Sequence, residues 1–319
     1  MIRLRWPLPP RPSTRALIRE ARQARAYSFF DFVHGYVYAR WTYTYIGIGT
    51  GEHRLARAYK RAAGWLGRIM PPRPAPAAAG GSISFADTYH GKVVTLESAT
   101  RLVTVNQDIN LGDLEHVIPY NLARDIILKH PDHIVALECP CRASRPNPCL
   151  PLDVCLIIGE PFASFINEHH AGRSRPITQG EAVDILRAEH ERGHVHHAFF
   201  KDAMLGRFYA ICNCCSCCCG AMQAARQGVP MLASSGYVSQ VDPDLCAGCA
   251  ACEAACQFGA ISMADDRSVV DTGLCMGCGV CPDKCPNGAM QLVRDEAKGI
   301  PLEIDVLMAQ AAGSSVGGA

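Results

Sequence analysis

The chain has 319 residues, with 31 basic and 30 acidic side chains, a formal net charge of +1 and 18 cysteines. That length suffices for two or three domains with their own cores, and the balanced charge excludes a whole-molecule polyanion binder. The start, MIRLRWPLPPRPSTRALIRE, has no apolar signal-like run, so a reducing, cytoplasmic compartment is expected, where dense cysteine means metal rather than disulfide.

Residues 1–70 form a basic, aromatic-rich N-terminal segment: Arg3, Arg5, Arg11, Arg15, Arg19, Arg22 and Arg25 stand against one acid, Glu20, in the first 30 positions. Two fates are expected for it: peripheral association with an anionic membrane or docking on a partner, or a plain solvated arm. Nucleic acid is not expected as a partner, because no binding motif accompanies the near-neutral charge. The most apolar stretch, FFDFVHGYVYARWTYTYIGIG (29–49), carries Asp31, His34 and Arg40 and is not expected to span a bilayer. YIGIGTGEHRLARAYKRAAG (45–64) has the strand, glycine turn and helix order of a phosphate-binding loop. It lacks a Lys-Ser/Thr pair and a following acid, so a tight packed turn is the better reading. PPRPAPAAAGGS (71–82) cannot build a core and makes 71–83 a Pro/Ala/Gly linker.

Residues 84–240 read as a Cys-rich middle domain. VVTL (93–96) and LVTV (102–105) predict short strands, NLARDIILKH (121–130) a helix stopped by Pro131, and IVAL (134–137) a strand leading into ECPCR. ITQGEAVDILRAEHERG (177–193) predicts a helix with a capping box, Thr178 with Glu181, and Gly193 after its C-cap. Strands alternating with helices place an α/β-type middle domain within an α+β chain. In GHVHHAFFKD, alternation puts His194 and His196 on one strand face, beside His197, Lys201 and Asp202. The group can ligate metal or shuttle protons, or be a half-buried polar strand.

Ten cysteines fall in two clumps of this domain: Cys139, Cys141, Cys149 and Cys155, then Cys212, Cys214, Cys215, Cys217, Cys218 and Cys219 in AICNCCSCCCGAM (210–222). Cys155, among apolar neighbours, also suits a core. For the six-cysteine run, loops are too short for disulfides, and adjacent free thiols are an oxidation hazard, so metal or cluster ligation is expected. Neighbours such as Cys214 and Cys215 should serve different sites. Cys212, Cys214 and Cys217 can converge, as can Cys215 and Cys218, and each clump should supply part of two shared sites. GAMQAARQG (220–228) predicts a helix that places Cys217 to Cys219 at its N-terminus, where thiol pKa values are lowered. Arg142 reads either as a countercharge for a cluster or anionic substrate, or as a surface arginine.

Cys246, Cys249, Cys252 and Cys256 have the spacing C-x2-C-x2-C-x3-C, and Cys275, Cys278, Cys281 and Cys285 repeat it at an offset of 29 residues. FGAISM (258–263) and NGAMQL (287–292) continue the repeat, marking an internal duplication. Three thiolates of each run grip one cubane, while the fourth has turned toward the other. The expected sets are therefore Cys246, Cys249, Cys252 and Cys285 for one [4Fe–4S] cluster, and Cys275, Cys278, Cys281 and Cys256 for the second. Paired zinc knuckles are the weaker alternative.

Residues 242–293, with the ending CPDKCP (281–286), resemble the bacterial two-[4Fe–4S] ferredoxin module. The resemblance implies a ferredoxin-like (βαβ)2 dicluster domain over 241–295; the tail, 296–319, is expected to fray at AAGSSVGGA on composition alone. Gln257 stands where that family usually has proline, which bears on local backbone or potential but not on cluster binding. The order of VIPYNLARDIILKHPDHIVALECPCR, PLDVCLIIG, RPITQGEAVDILRAEHERGHVHH and ICNCCSCCCG further resembles a poorly characterised group of microbial 4Fe–4S binding proteins over roughly 84–293. The expected function is iron–sulfur electron transfer: two [4Fe–4S] clusters exchange single electrons with a redox partner protein and with further Fe–S or zinc centres in the middle domain. A reductase with an unusual middle-domain cluster and a metal- or cluster-handling protein are the alternatives.

Overall fold

The computed structural model describes residues 10–24, 27–59, 61–62, 89–112, 114, 117 and 125–316. Arg3, Arg5, Arg25 and the linker 71–83 lie outside the described residues. Helices α1 (Pro12–Gln23), α2 (Phe29–Arg40) and α3 (Thr42–Thr50) come first. Proline at the first turn of α1 lacks an N–H that would have been orphaned there anyway, and a Ser28/Asp31 capping box closes the start of α2. In place of a solvated arm, these helices pack on the body of the protein. Leu17, Tyr38 and Ala39 are buried, and Glu20 accepts from Lys129 Nζ at 2.7 Å and Arg207 Nη2 at 3.1 Å. The strand expected at residues 45–49 is instead the second half of α3, because helical spacing brings Tyr43 and Ile46 onto the core. Gly51, at φ 86°, ends α3 rather than forming a phosphate-binding turn. Among the described residues, no helix is long and apolar enough to cross a membrane.

The middle of the chain runs β1 (Tyr89–Val94), α4 (Leu96–Val103), β2 (Ile109–Leu111), β3 (Ile126–Leu137), α5 (Pro140–Ala143), β4 (Cys155–Glu160), α6 (Phe162–His169) and β5 (Ser174–Ile177). It continues with α7 (Gln179–Glu191), β6 (Val195–Lys201), β7 (Arg207–Cys214), α8 (Gly220–Arg226) and β8 (Leu232–Ala233). One eight-stranded sheet results, in the order β2-β3-β4-β7-β6-β1-β8, with β5 paired to β3. Every pair is antiparallel except β1 with β8, so the α/β-type expectation gives way to an antiparallel sheet within the α+β class.

Two local expectations are overturned, and a third is cut short, since β1 ends at Val94 and Leu96 of VVTL opens α4. LVTV does not form a strand: the Thr95 hydroxyl caps α4 at Ser98 N–H, and Ala99, Leu102 and Val103 form one buried stripe, so packing outweighs β-branched propensity. NLARDIILKH does not form a helix over its described part, because Ile126 and Leu128 alternate inward along β3. Pro131 falls in a register shift between Lys129 and Ile134, where His130 has φ 50°, which is how the strand tolerates proline. The Thr178/Glu181 capping box of α7 is present, and Gly193 follows the helix at φ 82°.

One core, with Leu102, Ile126, Leu186, Phe200 and Phe208, lies beneath α4 and α7. A second core, with Val135, Ile157, Phe162, Phe199 and Tyr209, is covered by the N-terminal helices and contains Cys139, Cys155, Cys214 and Cys219.

The C-terminal part is two strand–helix–strand units: β9 (Tyr237–Val241), α9 (Ala251–Ala255) and β10 (Ile261–Ala264), then β11 (Arg267–Val270), α10 (Val280–Lys284) and β12 (Met290–Arg294). β9 pairs antiparallel with β12 and β10 with β11. The remaining helix, α11 (Ile304–Val316), differs from the frayed tail expected there. Leu302, Ile304 and Leu307 are buried in the first core, so the chain returns from the C-terminal units to the middle sheet.

Candidate metal centres

The duplication is visible in the backbone. Gly248 and Gly277 have φ 66° and 63°, Gly259 and Gly288 both 65°, and each pair is 29 residues apart. A Cβ on Gly248 would strike Asp266 O, and one on Gly277 would strike Tyr237 O, so each cysteine loop is pressed against the strand entering the other half. Cysteine sulfurs receive backbone donors symmetrically: Ser268 N to Cys246 Sγ at 3.5 Å and Ser239 N to Cys275 Sγ at 3.4 Å, then Ala260 N to Cys256 Sγ at 3.3 Å and Ala289 N to Cys285 Sγ at 3.2 Å. Two serines, again 29 apart, place hydroxyls on sulfur: Ser268 Oγ lies 3.0 Å from Cys252 Sγ, and Ser239 Oγ 2.8 Å from Cys281 Sγ. Donors aimed at sulfur stabilise thiolate and raise cluster potential. They draw the Cys246 thiol below its usual pKa, the Ser268 N–H first among the causes, whereas burial pushes Cys278 and Cys281 up to about 12. Cys256 lies close enough to Cys278 and Cys281 that its charge acts on both.

Residues 245–290 match the family model of the 4Fe-4S dicluster domain. No curated protein matches the chain. The N–H and O–H donors on six sulfurs of the dicluster domain fit anionic iron–sulfur clusters, and when bound such clusters supply one-electron chemistry.

The ten other cysteines divide differently from the run's sequence spacing. Cys149 joins Cys215, Cys217 and Cys218, with all four sulfurs within 4.8 Å of one another. Cys149 Sγ is 3.2 Å from Cys217 Sγ, which is 3.7 Å from Cys218 Sγ. A tetrahedral ion with bonds of about 2.3 Å sets its sulfurs about 3.8 Å apart, so this group suits one metal ion. Cys217 therefore goes with Cys215 and Cys218, not with Cys212 and Cys214 as the spacing suggested. Arg145 Nη2 donates to Cys218 O at 3.2 Å and to Gln223 Oε1 at 2.6 Å, while Gln223 Nε2 donates to Cys217 O at 2.9 Å. These two side chains hold the loop. The thiol of exposed Cys217 is drawn below its usual pKa: burial opposes this, but hydrogen bonds with Cys149, Cys215 and Cys218 prevail. The helix-terminus expectation fails at Cys219, which is pushed well up despite a favourable contact from Cys141, by Cys214 and by burial.

The remaining six, Cys139, Cys141 and Cys155 from the first clump and Cys212, Cys214 and Cys219 from the second, line one cavity together. Cys155 and Cys212 face each other across β4 and β7 with sulfurs 3.7 Å apart. Cys155 acts electrostatically on Cys139, Cys139 on Cys141, Cys141 on Cys219, and Cys219 on Cys214. Cys214 and Cys215 thus belong to separate groups, because β7 ends between them.

Arg142 is not a surface arginine: it lines the cysteine cavity, where Cys139 and Cys215 act on its charge. It is 1 % exposed, ion-paired with Glu189, and donates to Asn213 O at 3.1 Å. Glu189 also pairs with His194 Nδ1 at 2.7 Å, and His196 Nδ1 pairs with Asn213 Oδ1 at 2.6 Å. His197 stacks on Phe199, Lys201 lies over the rings of Tyr38 and Tyr45, and Asp202 Oδ1 accepts from Ala203 N–H. Among the described residues, none of these histidines joins a metal-ligand group; an exposed trio, His130, Asp132 and His133, does gather. Glu189, Asn213, Ser239 and Ser268 escaped the sequence reading, although the two serines share the offset of the cysteines.

Gln257, the departure from proline, faces the middle domain. Its Oε1 accepts from Ser216 N at 2.9 Å, between Cys215 and Cys217, and its carbonyl accepts from Arg226 Nη2 at 2.9 Å. Around it, His190 Nε2 meets Asp283 Oδ2 at 2.7 Å, and Val280 packs on Val93 and Val195 with Cys278 alongside.

Proposed function

We propose that this chain is an iron–sulfur electron-transfer protein in which two cubanes of the dicluster domain exchange single electrons with a metal centre held by Cys149, Cys215, Cys217 and Cys218. The observation that carries this reading is the Gln257 bridge. It links Cys256, a ligand of the second cubane in the crossed assignment, to Ser216, whose two chain neighbours are cysteines of the four-thiol group. Covalent bonds and one hydrogen bond make a continuous path between the two sites. An iron ion in the four-thiol group accepts an electron and a zinc ion does not, so the reading requires iron there. The cytoplasmic location, the redox partner protein and any docking of the N-terminal segment at a membrane belong to the same proposal. Phe29, Phe30 and Trp41 on α2 and its flank are exposed and offer a partner apolar contact.

The second reading, a reductase, is favoured by a cavity of about 360 Å³ whose wall combines thiols with Tyr38, Tyr45, Tyr209 and Lys201. Proton-bearing groups beside a cluster are what reductive chemistry needs. Cluster handling is favoured only by the exposure of Cys217 and Cys249.

The test is metal analysis and EPR of the anaerobically purified full chain, followed by rapid-freeze reduction of native protein and of Cys149→Ser. Iron in the four-thiol site, reduced in step with the cubanes and missing from Cys149→Ser, is the expected result. Zinc in that site, or iron that never equilibrates with the cubanes, refutes the proposal.

A further inference from the structure

The other six cysteines of the middle domain, Cys139, Cys141, Cys155, Cys212, Cys214 and Cys219, gather at one cavity. They belong to rigid elements that were brought together from both clumps. Cys155 and Cys212 are register partners in adjacent strands, Cys214 lies two residues further along the same face of β7, Cys139 and Cys141 flank the start of α5, and Cys219 precedes α8. Cys139, Cys155, Cys214 and Cys219 are buried.

Taken alone, buried thiols are ordinary small apolar residues, and four of these do belong to the second core. The space beside them distinguishes this case. All six line the cavity of about 360 Å³ between the sheet, α3 and α8. Packed interiors leave few voids larger than a water molecule, and this one gathers eight cysteines on its wall, the six together with Cys215 and Cys218, beside Tyr38, Tyr45, Asn213 and Lys201. A void of this size at this wall is room for a group that sulfur binds. Lys201, 0 % exposed, lines the same cavity with its ammonium over Tyr38 and Tyr45. Asp202 already acts on that charge, and a thiolate-bound cluster would add further negative charge beside it.

The number of thiols decides the kind of group. A single tetrahedral ion uses four ligands, whereas six thiols besides two of the four-thiol group line this wall, with the Cys155 and Cys212 sulfurs 3.7 Å apart and Cys139, Cys141, Cys219 and Cys214 following as electrostatic neighbours. Such a row outreaches one ion's coordination sphere, and soft thiolates in numbers select iron–sulfur clusters. We propose that Cys139, Cys141, Cys155, Cys212, Cys214 and Cys219 hold a polynuclear iron–sulfur cluster in this cavity, separate from the single-ion centre at Cys149, Cys215, Cys217 and Cys218. The proposal rests on the reading of the chain as an iron–sulfur protein, but not on iron occupying the four-thiol group.

Acid-labile sulfide separates the possibilities, because two cubanes account for about eight sulfides per chain and a thiolate-bound single ion for none. The full chain, purified anaerobically after expression with ample iron, is expected to carry sulfide clearly above that number. Cys155→Ser/Cys212→Ser should lower it to about eight with the dicluster EPR signals unchanged, and Cys149→Ser should leave the excess in place. Native protein with eight sulfides or fewer overturns the proposal however the variants behave, and so does an excess that survives Cys155→Ser/Cys212→Ser. Zinc at the four-thiol site would defeat the electron-transfer reading while leaving the sulfide count, and this inference, standing.

Discussion

Replacing Gln257 by proline, the residue the ferredoxin pattern favours there, tests the bridge while sparing the cluster. Cys256 before it has φ −73° and ψ 105°, a conformation that the residue preceding a proline readily adopts. The carbonyl that accepts from Arg226 survives the change, as do the His190–Asp283 contact and the Val280 packing. What disappears is the acceptor for Ser216 N–H. One net hydrogen bond is worth about 1 kcal/mol, and since Ser216 is only half-buried, water takes up the freed donor and keeps the loss near that figure. The local opening equilibrium at Ser216 should therefore rise about 5-fold, read as a matching loss of amide hydrogen-exchange protection, with iron and sulfide content unchanged. Electron exchange between the cubanes and the four-thiol centre should slow in the same protein. Gln257→Glu, which keeps an acceptor, should restore most of the protection. Unchanged Ser216 protection together with unchanged exchange kinetics would show that Gln257 neither docks nor couples the two parts.

Cys256→Ala is expected to cost about four irons rather than eight and to remove the EPR signal of the cubane bound by Cys275, Cys278 and Cys281, and loss of the other signal alone would disprove the crossed assignment. Glu189→Gln leaves the Arg142 charge buried without its partner and should destabilise the chain by about 3–5 kcal/mol in urea unfolding, whereas a loss under about 1 kcal/mol would mean Asn213 O and Pro151 O suffice to hold it. Burial lowers His196 to about 4 and His197 to about 3, so both rings stay neutral in the folded chain while the unfolded chain takes up protons below about pH 6.5. Stability is thus fully present above that pH and falls as pH drops toward the folded values. His197→Phe, which keeps the stack on Phe199, should flatten the slope by about 1.4 kcal/mol per pH unit between about pH 6 and 4.5, and an unchanged slope would locate the acid sensitivity elsewhere.

Local signals carried much of this protein in its sequence alone. The dicluster domain was legible because an iron–sulfur cluster dictates ligand spacing along a short loop, and duplication wrote that spacing twice. The capping box of α7 is likewise a short-range feature, whereas β6, which its alternation suggested to be half-buried, is buried at every position because both faces of the sheet are covered. Tertiary structure decided the rest. LVTV became helical and NLARDIILKH extended because burial against distant partners is worth more than the small differences in local propensity. The division of the ten middle cysteines depended on where β7 ends and which strand lies beside it. Cys155 meets Cys212 only through the β4–β7 register, and Cys149 reaches Cys217 across 68 positions of chain. Spacing along one segment cannot encode such meetings, because a metal site assembled from two clumps is defined by the fold that closes the distance between them.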